Sequence, residues 1–114
     1  MQRRYRLSRS QDFDAVYRKG RSTSTRYLVL YWFPREVEDD DARLGLAVPK
    51  STGTAVQRNR IKRRLRELWR ARLEQVPPGC DYVLVVRPGL AEAAAAQGAD
   101  WLGERVDELL KAAA

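Results

Sequence analysis

Thr54–Glu74, TAVQRNRIKRRLRELWRARLE, reads as a single helix, and from Gln57 to Glu74 it sets eight Lys or Arg against two carboxylates. That is six of the chain's seven net positive charges. Thr54 and Gln57 have the spacing of a capping box, in which each side chain satisfies a backbone donor of the other residue, and Gly53 frees the chain to turn just before it. At about 100° per residue, Ile61, Leu65 and Leu68 share a face with Trp69 at its edge, and that face goes to a core. Asn59, Lys62, Arg63, Arg66 and Arg70 form a second stripe about a third of the way round.

A charged stripe of this kind has a bland reading, a solvated helix face. Two features argue for more. Lys62, Arg63 and Arg66 crowd together with few acids near them, and like charges at helical spacing cost a few tenths of a kcal/mol each, roughly. Arg58 and Arg60 sit in the first two turns while Glu67 and Glu74 lie toward the C-terminal end, the reverse of what the helix dipole favours by roughly 0.3–1 kcal/mol per charge. Folding alone would not select this order, whereas a phosphate-bearing partner would.

The remaining charge is also grouped. Residues 1–27 carry eight basic and two acidic groups, 28–53 three and five, and 75–114 three and six. Together with a pI near 10.1, two basic blocks on a mildly acidic background point to a polyanion. At 114 residues the chain is expected to form one domain, 1–114, with a basic N-terminal arm at 1–9 and an Ala-rich helical segment at 91–114. One cysteine, Cys80, forms no internal disulfide and suits a reducing cytoplasm. No long apolar run or signal peptide is evident, so a cytosolic protein without membrane attachment is expected. The chain has no histidine, which removes imidazole acid–base chemistry, most zinc sites and any Ser/His or Cys/His nucleophile.

Along the chain, Arg3, Arg4, Arg6 and Arg9 surround Tyr5 and Leu7, either as a free basic tail or as an arm onto nucleic acid. Ser8 with Gln11, or Ser10 alone, can cap a short helix closing at Gly20 in the C′ position. Within it Phe13, Val16 and Tyr17 share a face, which by itself favours core packing. Residues 26–33, RYLVLYWF, give the strongest strand signal, apolar or aromatic on both faces, so one face covers helices and the other is buried or binds something. The carboxylates Glu36, Glu38, Asp39, Asp40 and Asp41 follow on a connection. A consecutive run of this sort is more often solvated than a metal site, which needs ligands converging from rigid elements. RLGLAV, 43–48, sets Leu44, Leu46 and Val48 against Gly45 and Ala47, small enough for a backbone or ligand to come close. Tyr82–Val86 reads as a buried strand, making the basic helix a crossover between parallel strands. Leu90–Gln97 is helical by propensity, Gly98 interrupts, and Leu102, Val106, Leu109 and Leu110 mark a final helix.

AVQRNRIKRRLRE, 55–67, closely resembles the basic motif of the bacterial ribonuclease P protein component. SQDFDAVYRKGRS, RYLVLYWF, RLGLAVPK and CDYVLVVRPG resemble that family's other blocks in the same order, so the likeness covers roughly residues 4–90. It implies an α+β fold, a compact two-layer sandwich of order αβββαβα. This fold is related to the second domain of a small-subunit ribosomal protein and has a left-handed βαβ crossover at the basic helix. A fourth strand is then expected near 21–25.

The resemblance also implies that a partner RNA, with bound magnesium, cleaves the 5′ leader from precursor tRNA, while the protein binds leader and catalytic RNA. Carried onto this sequence, Arg58, Asn59, Arg60, Lys62, Arg63 and Arg66 look like the contacts to catalytic RNA, and Phe13, Tyr17 and Tyr31 like the cleft for the single-stranded leader. Tyr17 stands where Phe is common in the family, a change that keeps the ring. No catalytic or metal-ligating residue is expected in the protein, and no DNA partner. Other classes stay open: a self-sufficient nuclease using the acidic connection and a divalent ion, and a DNA-binding or ribosomal protein using the same helix. A membrane-surface helix is the weakest, since the apolar face is just wide enough to serve a core.

Overall fold

The computed structural model describes residues 6–7, 10–34, 42–98 and 100–113. The connection carrying Glu36 to Asp41, and Arg3, Arg4, Tyr5, Ser8 and Arg9 of the arm, lie outside the described residues.

The elements run α1 (Ser10–Lys19), β1 (Arg21–Ser24), β2 (Leu28–Pro34), β3 (Arg43–Ala47), α2 (Ala55–Arg70), β4 (Cys80–Val86), α3 (Leu90–Ala96) and α4 (Trp101–Ala113). The expected order therefore holds, with the last helical segment divided into two helices around Gly98 and the short fourth strand at 21–24. The sheet order is β1-β2-β4-β3. β2 pairs antiparallel with β1 and β4, and β3 pairs parallel with β4, so α2 is the crossover between parallel neighbours.

Both faces of the sheet are used. Leu28, Leu30, Leu44, Tyr82, Leu84 and Val86 meet Leu65 and Trp69 of α2, Leu90 of α3, and Leu102, Val106 and Leu109 of α4 in the larger core. Sheet and α2–α4 make the two-layer sandwich. On the opposite face Val16 of α1, Leu7 and Val83 form a smaller core, with Phe13, Tyr31, Phe33, Ala47 and Val85 partly buried against it. The doubly apolar reading of residues 26–33 thus has its cause: within β2 the even positions Leu28, Leu30 and Trp32 face α2–α4 and the odd positions Tyr31 and Phe33 face α1, while Tyr27, in the turn before the strand, packs against α4.

Four local expectations are corrected. α2 stops at Arg70 rather than Glu74. Ala71 and Arg72 turn back, with the Arg72 N–H donating to the Trp69 carbonyl at 2.9 Å, which ends the helix and sends Val76 into the core. Trp69 is not at the edge of the apolar face but fully buried within it, 5.2 Å from the ring of Tyr82. The strand expected from Arg26 starts at Leu28, because the Thr25 N–H donates to the Leu28 carbonyl at 2.8 Å and makes 25–28 the hairpin turn. Gly20 closes α1, its N–H donating to the Val16 carbonyl at 2.9 Å, but φ is not positive there. Glycine is needed for space, since a Cβ would lie 2.3 Å from the Val16 oxygen and 2.6 Å from the Trp32 oxygen.

Candidate nucleic-acid interface

The start of α2 is fixed as its sequence requires. The Gln57 N–H donates to Thr54 Oγ1 at 3.2 Å, and the Thr54 N–H donates to Gln57 Oε1 at 2.8 Å. A Cβ on Gly53 would lie 2.2 Å from that Oε1, so glycine keeps the capping amide in place. Leu65 and Trp69, both fully buried, set the rotation of the helix about its axis and so decide which residues face outward.

Asn59, Arg63, Arg66 and Arg70 then line one open groove of about 480 Å³, with Glu67 and, from the N-terminal arm, Arg6. The arm is held there because the Leu7 N–H donates to the Leu44 carbonyl at 2.8 Å and the Leu7 side chain is buried. Burial, and next the charge of Arg6, lower the proton affinity of the Arg66 guanidinium below its ordinary value. Two cations are held side by side, and a bound phosphate would relieve the repulsion.

Of the six residues expected to contact catalytic RNA, the structure gathers Asn59, Arg63 and Arg66 in this groove. Lys62 is half-buried and does not line it. Arg58 turns toward the helix start, its Nη1 donating to the Gly53 carbonyl at 2.8 Å. Arg60 lies on the other flank of α2, in a separate groove with Arg64. Arg70 joins the set as a continuation of the stripe, at i+4 from Arg66. Arg6 has no comparable sequence signal, because its place depends on a pairing with Leu44 far along the chain.

The three aromatic candidates form one contiguous surface on the other face of the sheet. Phe13 lies against Gly45, where a Cβ would come within 2.4 Å of its ring. The small residue thus admits a side chain from α1 rather than a ligand. The Phe13 and Tyr17 centroids are 6.4 Å apart with planes at 45°, and those of Tyr17 and Tyr31 are 5.0 Å apart at 90°. Tyr17 is 41% exposed, unusual for an aromatic residue beside a core. Burial, and then Tyr31, raise the Tyr17 phenol above its usual value, so it stays a neutral donor at physiological pH. Val16, fully buried, carries the packing on this face of α1.

An ion cluster fastens α1 to the sheet. Arg43 grips Asp81 with two hydrogen bonds, Nε to Oδ1 at 2.8 Å and Nη2 to Oδ2 at 2.7 Å, and its Nη2 lies 3.7 Å from Asp12, the residue before Phe13. Asp81 is 5% exposed, and its hydrogen bond is the main reason Arg43 holds its proton more firmly than usual. This carboxylate pair is bridged by an arginine. Among the described residues no group of three or more His, Cys, Asp or Glu could hold a metal ion. No helix among them is long and apolar enough to cross a membrane.

A groove of guanidinium groups on one helix and a shelf of rings on the sheet face are the features expected of an α+β protein that binds RNA, since arginine suits phosphates and rings suit bases. The chain belongs to the ribonuclease P family, whose model, "Ribonuclease P", matches residues 1–112. The ribonuclease P protein component of Geobacillus kaustophilus is 40% identical over 92 residues, covering 81% of this chain and 75% of that one. The Staphylococcus aureus RNase P protein superposes with a TM-score of 0.85 at 30% identity, covering 96% of this chain and 94% of the other. A mutant of the S. aureus RNase P protein with defective mRNA degradation activity superposes with a TM-score of 0.83 at 32% identity, covering 96% and 88%. The chain is thus a protein component of the ribonuclease P ribonucleoprotein, which processes tRNA 5′ ends, and its partner is the ribonuclease P RNA.

Proposed function

We propose that the groove of Arg6, Asn59, Arg63, Arg66 and Arg70, together with Lys62 elsewhere on the same helix, grips the catalytic RNA. Phe13, Tyr17 and Tyr31 receive the single-stranded 5′ leader of precursor tRNA. The observation that carries this reading is the exposure of Tyr17 within a contiguous ring surface, since a purely structural trio would bury it. Stacking on rings is tolerant of base identity, as leaders of varied sequence require. Magnesium is held mainly by the RNA, which performs the hydrolysis in the cytoplasm, and the protein raises affinity for substrate and metal.

Reconstitution with a bacterial ribonuclease P RNA tests the reading. At low magnesium the chain is expected to restore cleavage of leader-bearing precursor that the RNA alone performs poorly. Absence of any stimulation overturns it.

A second reading, RNA cleavage by the protein without its RNA partner, is favoured by the mRNA degradation activity named for the S. aureus protein. It predicts that the purified chain with magnesium shortens an mRNA substrate. Retention of intact substrate by protein shown free of contaminating nuclease excludes it.

A further inference from the structure

α1 buries little of itself against the sheet. Of its ten residues only Val16 is buried, and Tyr17, whose ring is exposed, follows directly after it. At the C-terminal end Gly20 brings the chain close to β2, since a Cβ there would lie 2.6 Å from the Trp32 oxygen. At the N-terminal end two successive residues of α1 meet two residues of β3. Phe13 lies against Gly45, and Asp12 Oδ2 stands 3.7 Å from Arg43 Nη2. Arg43 and Gly45 are two apart in the strand and so share a face.

The guanidinium that Asp12 meets is fixed from the sheet side. Arg43 stands opposite Asp81 in the parallel register of β3 and β4, and its two hydrogen bonds to that carboxylate are 2.8 and 2.7 Å long. Asp81 is on the α1 face, two residues before Val83 of the smaller core. The Asp12 contact itself adds little to stability, because the side chains of Arg43 and Asp12 are 29% and 27% exposed and their separation is long. What it fixes is direction. With Val16 as the fulcrum, a rise of the Asp12 end tilts Phe13 and, one helical turn on, Tyr17 away from Tyr31.

The geometry points to Asp12 as a positioning residue for the leader: drawn to Arg43, it sets the angle of α1 on the sheet and thereby the approach of the Tyr17 ring to Tyr31. The inference rests on the leader-binding role proposed for those rings and assigns their alignment to a charge contact outside the ring surface. Asp12 acts through Phe13 and Tyr17 and needs no contact with RNA, which its own negative charge would oppose.

Asp12→Ala tests the inference without stranding a buried group, whereas loss of Arg43 would take the bridging arginine from the buried Asp81. Alanine is the better helix former, which offsets the lost dipole and ion-pair contacts, so the unfolding midpoint should change little. In the holoenzyme reconstituted with ribonuclease P RNA, Asp12→Ala is expected to weaken binding of leader-bearing precursor by about threefold. This is less than the loss for Tyr17→Ala, because the ring is displaced rather than removed. Single-turnover cleavage at saturation, affinity for mature tRNA and affinity of the chain for ribonuclease P RNA should match wild type. Asp12→Glu, which keeps the charge at a longer reach, should restore precursor binding. Equal losses for precursor and mature tRNA, or an Asp12→Glu chain as impaired as Asp12→Ala, overturn the positioning role. Wild-type precursor binding by Asp12→Ala, with Tyr17→Ala still impaired, overturns it too and leaves the ring surface as the leader site. If Tyr17→Ala is also without effect, the leader site itself fails and the positioning role falls with it.

Discussion

Tyr17 on α1 meets Tyr31 on β2 edge to face, their centroids 5.0 Å apart and their planes at 90°. The pair leaves Tyr17 partly open to solvent with its orientation fixed, which suits a stacking platform. Tyr17→Ala should reduce affinity for leader-bearing precursor by about fivefold or more, since a base–ring stack is worth roughly 1–3 kcal/mol, while affinity for mature tRNA changes little. Tyr17→Phe should behave as wild type. Equal losses for both RNAs would assign the rings to packing alone.

The first groove predicts a salt signature. Arg63→Ala, Arg66→Ala and Arg6→Ala should each weaken binding to ribonuclease P RNA. Each should also lower the log–log salt slope by roughly 0.7–0.9 per lost phosphate contact. Arg6→Ala is the most informative, because only the fold brings it to α2. An unchanged slope for all three would remove the groove from the interface.

Gly45 and Phe13 should behave as a pair. Gly45→Ala places a methyl within 2.4 Å of the Phe13 ring, so the ring must move and the stability loss should be about 1–3 kcal/mol, typical of overpacking. Phe13→Leu in that background should recover part of it, measured by denaturant midpoint. Additive losses would mean that the two positions do not compete for the same space.

Arg72 holds α4 onto the end of α2 through Asp107, Nε to Oδ1 at 2.5 Å. That hydrogen bond keeps the Asp107 carboxyl below its ordinary value. Because the folded value is the lower one, the stabilisation is complete above the unfolded value of about 4 and is lost as pH falls through the folded value. Asp107→Asn should therefore lower the unfolding midpoint at pH 7, with the difference from wild type closing as the pH falls below the ordinary carboxylate value and through the folded one. A gap that persists into strong acid would trace the loss to packing instead.

Much of this structure was legible because its causes are local. The capping box of Thr54 and Gln57, the alternation through Leu28–Pro34, and the break at Gly98 all lie within a few residues of their effects. The basic stripe was legible for the same reason, since helical spacing alone places Asn59, Arg63 and Arg66 together. What was not legible depends on long-range contacts. Arg6 reaches α2 only through Leu44, and Arg43 meets Asp81 only because a crossover of more than thirty residues sets the parallel register. The separation of Arg60 from Arg63 needed the true orientation of α2, which the deep burial of Trp69 determines.

The short pairing of residues 6–7 with Leu44 has a further consequence. β3 is the outermost strand on its side of the sheet, and an uncovered strand of that kind invites a neighbouring molecule to pair with it. The arm shields it at that point. Deleting the first nine residues should promote self-association as well as weaken RNA binding, visible as growth in light scattering with concentration. A shortened chain that remains monodisperse would show that the arm is dispensable for solubility.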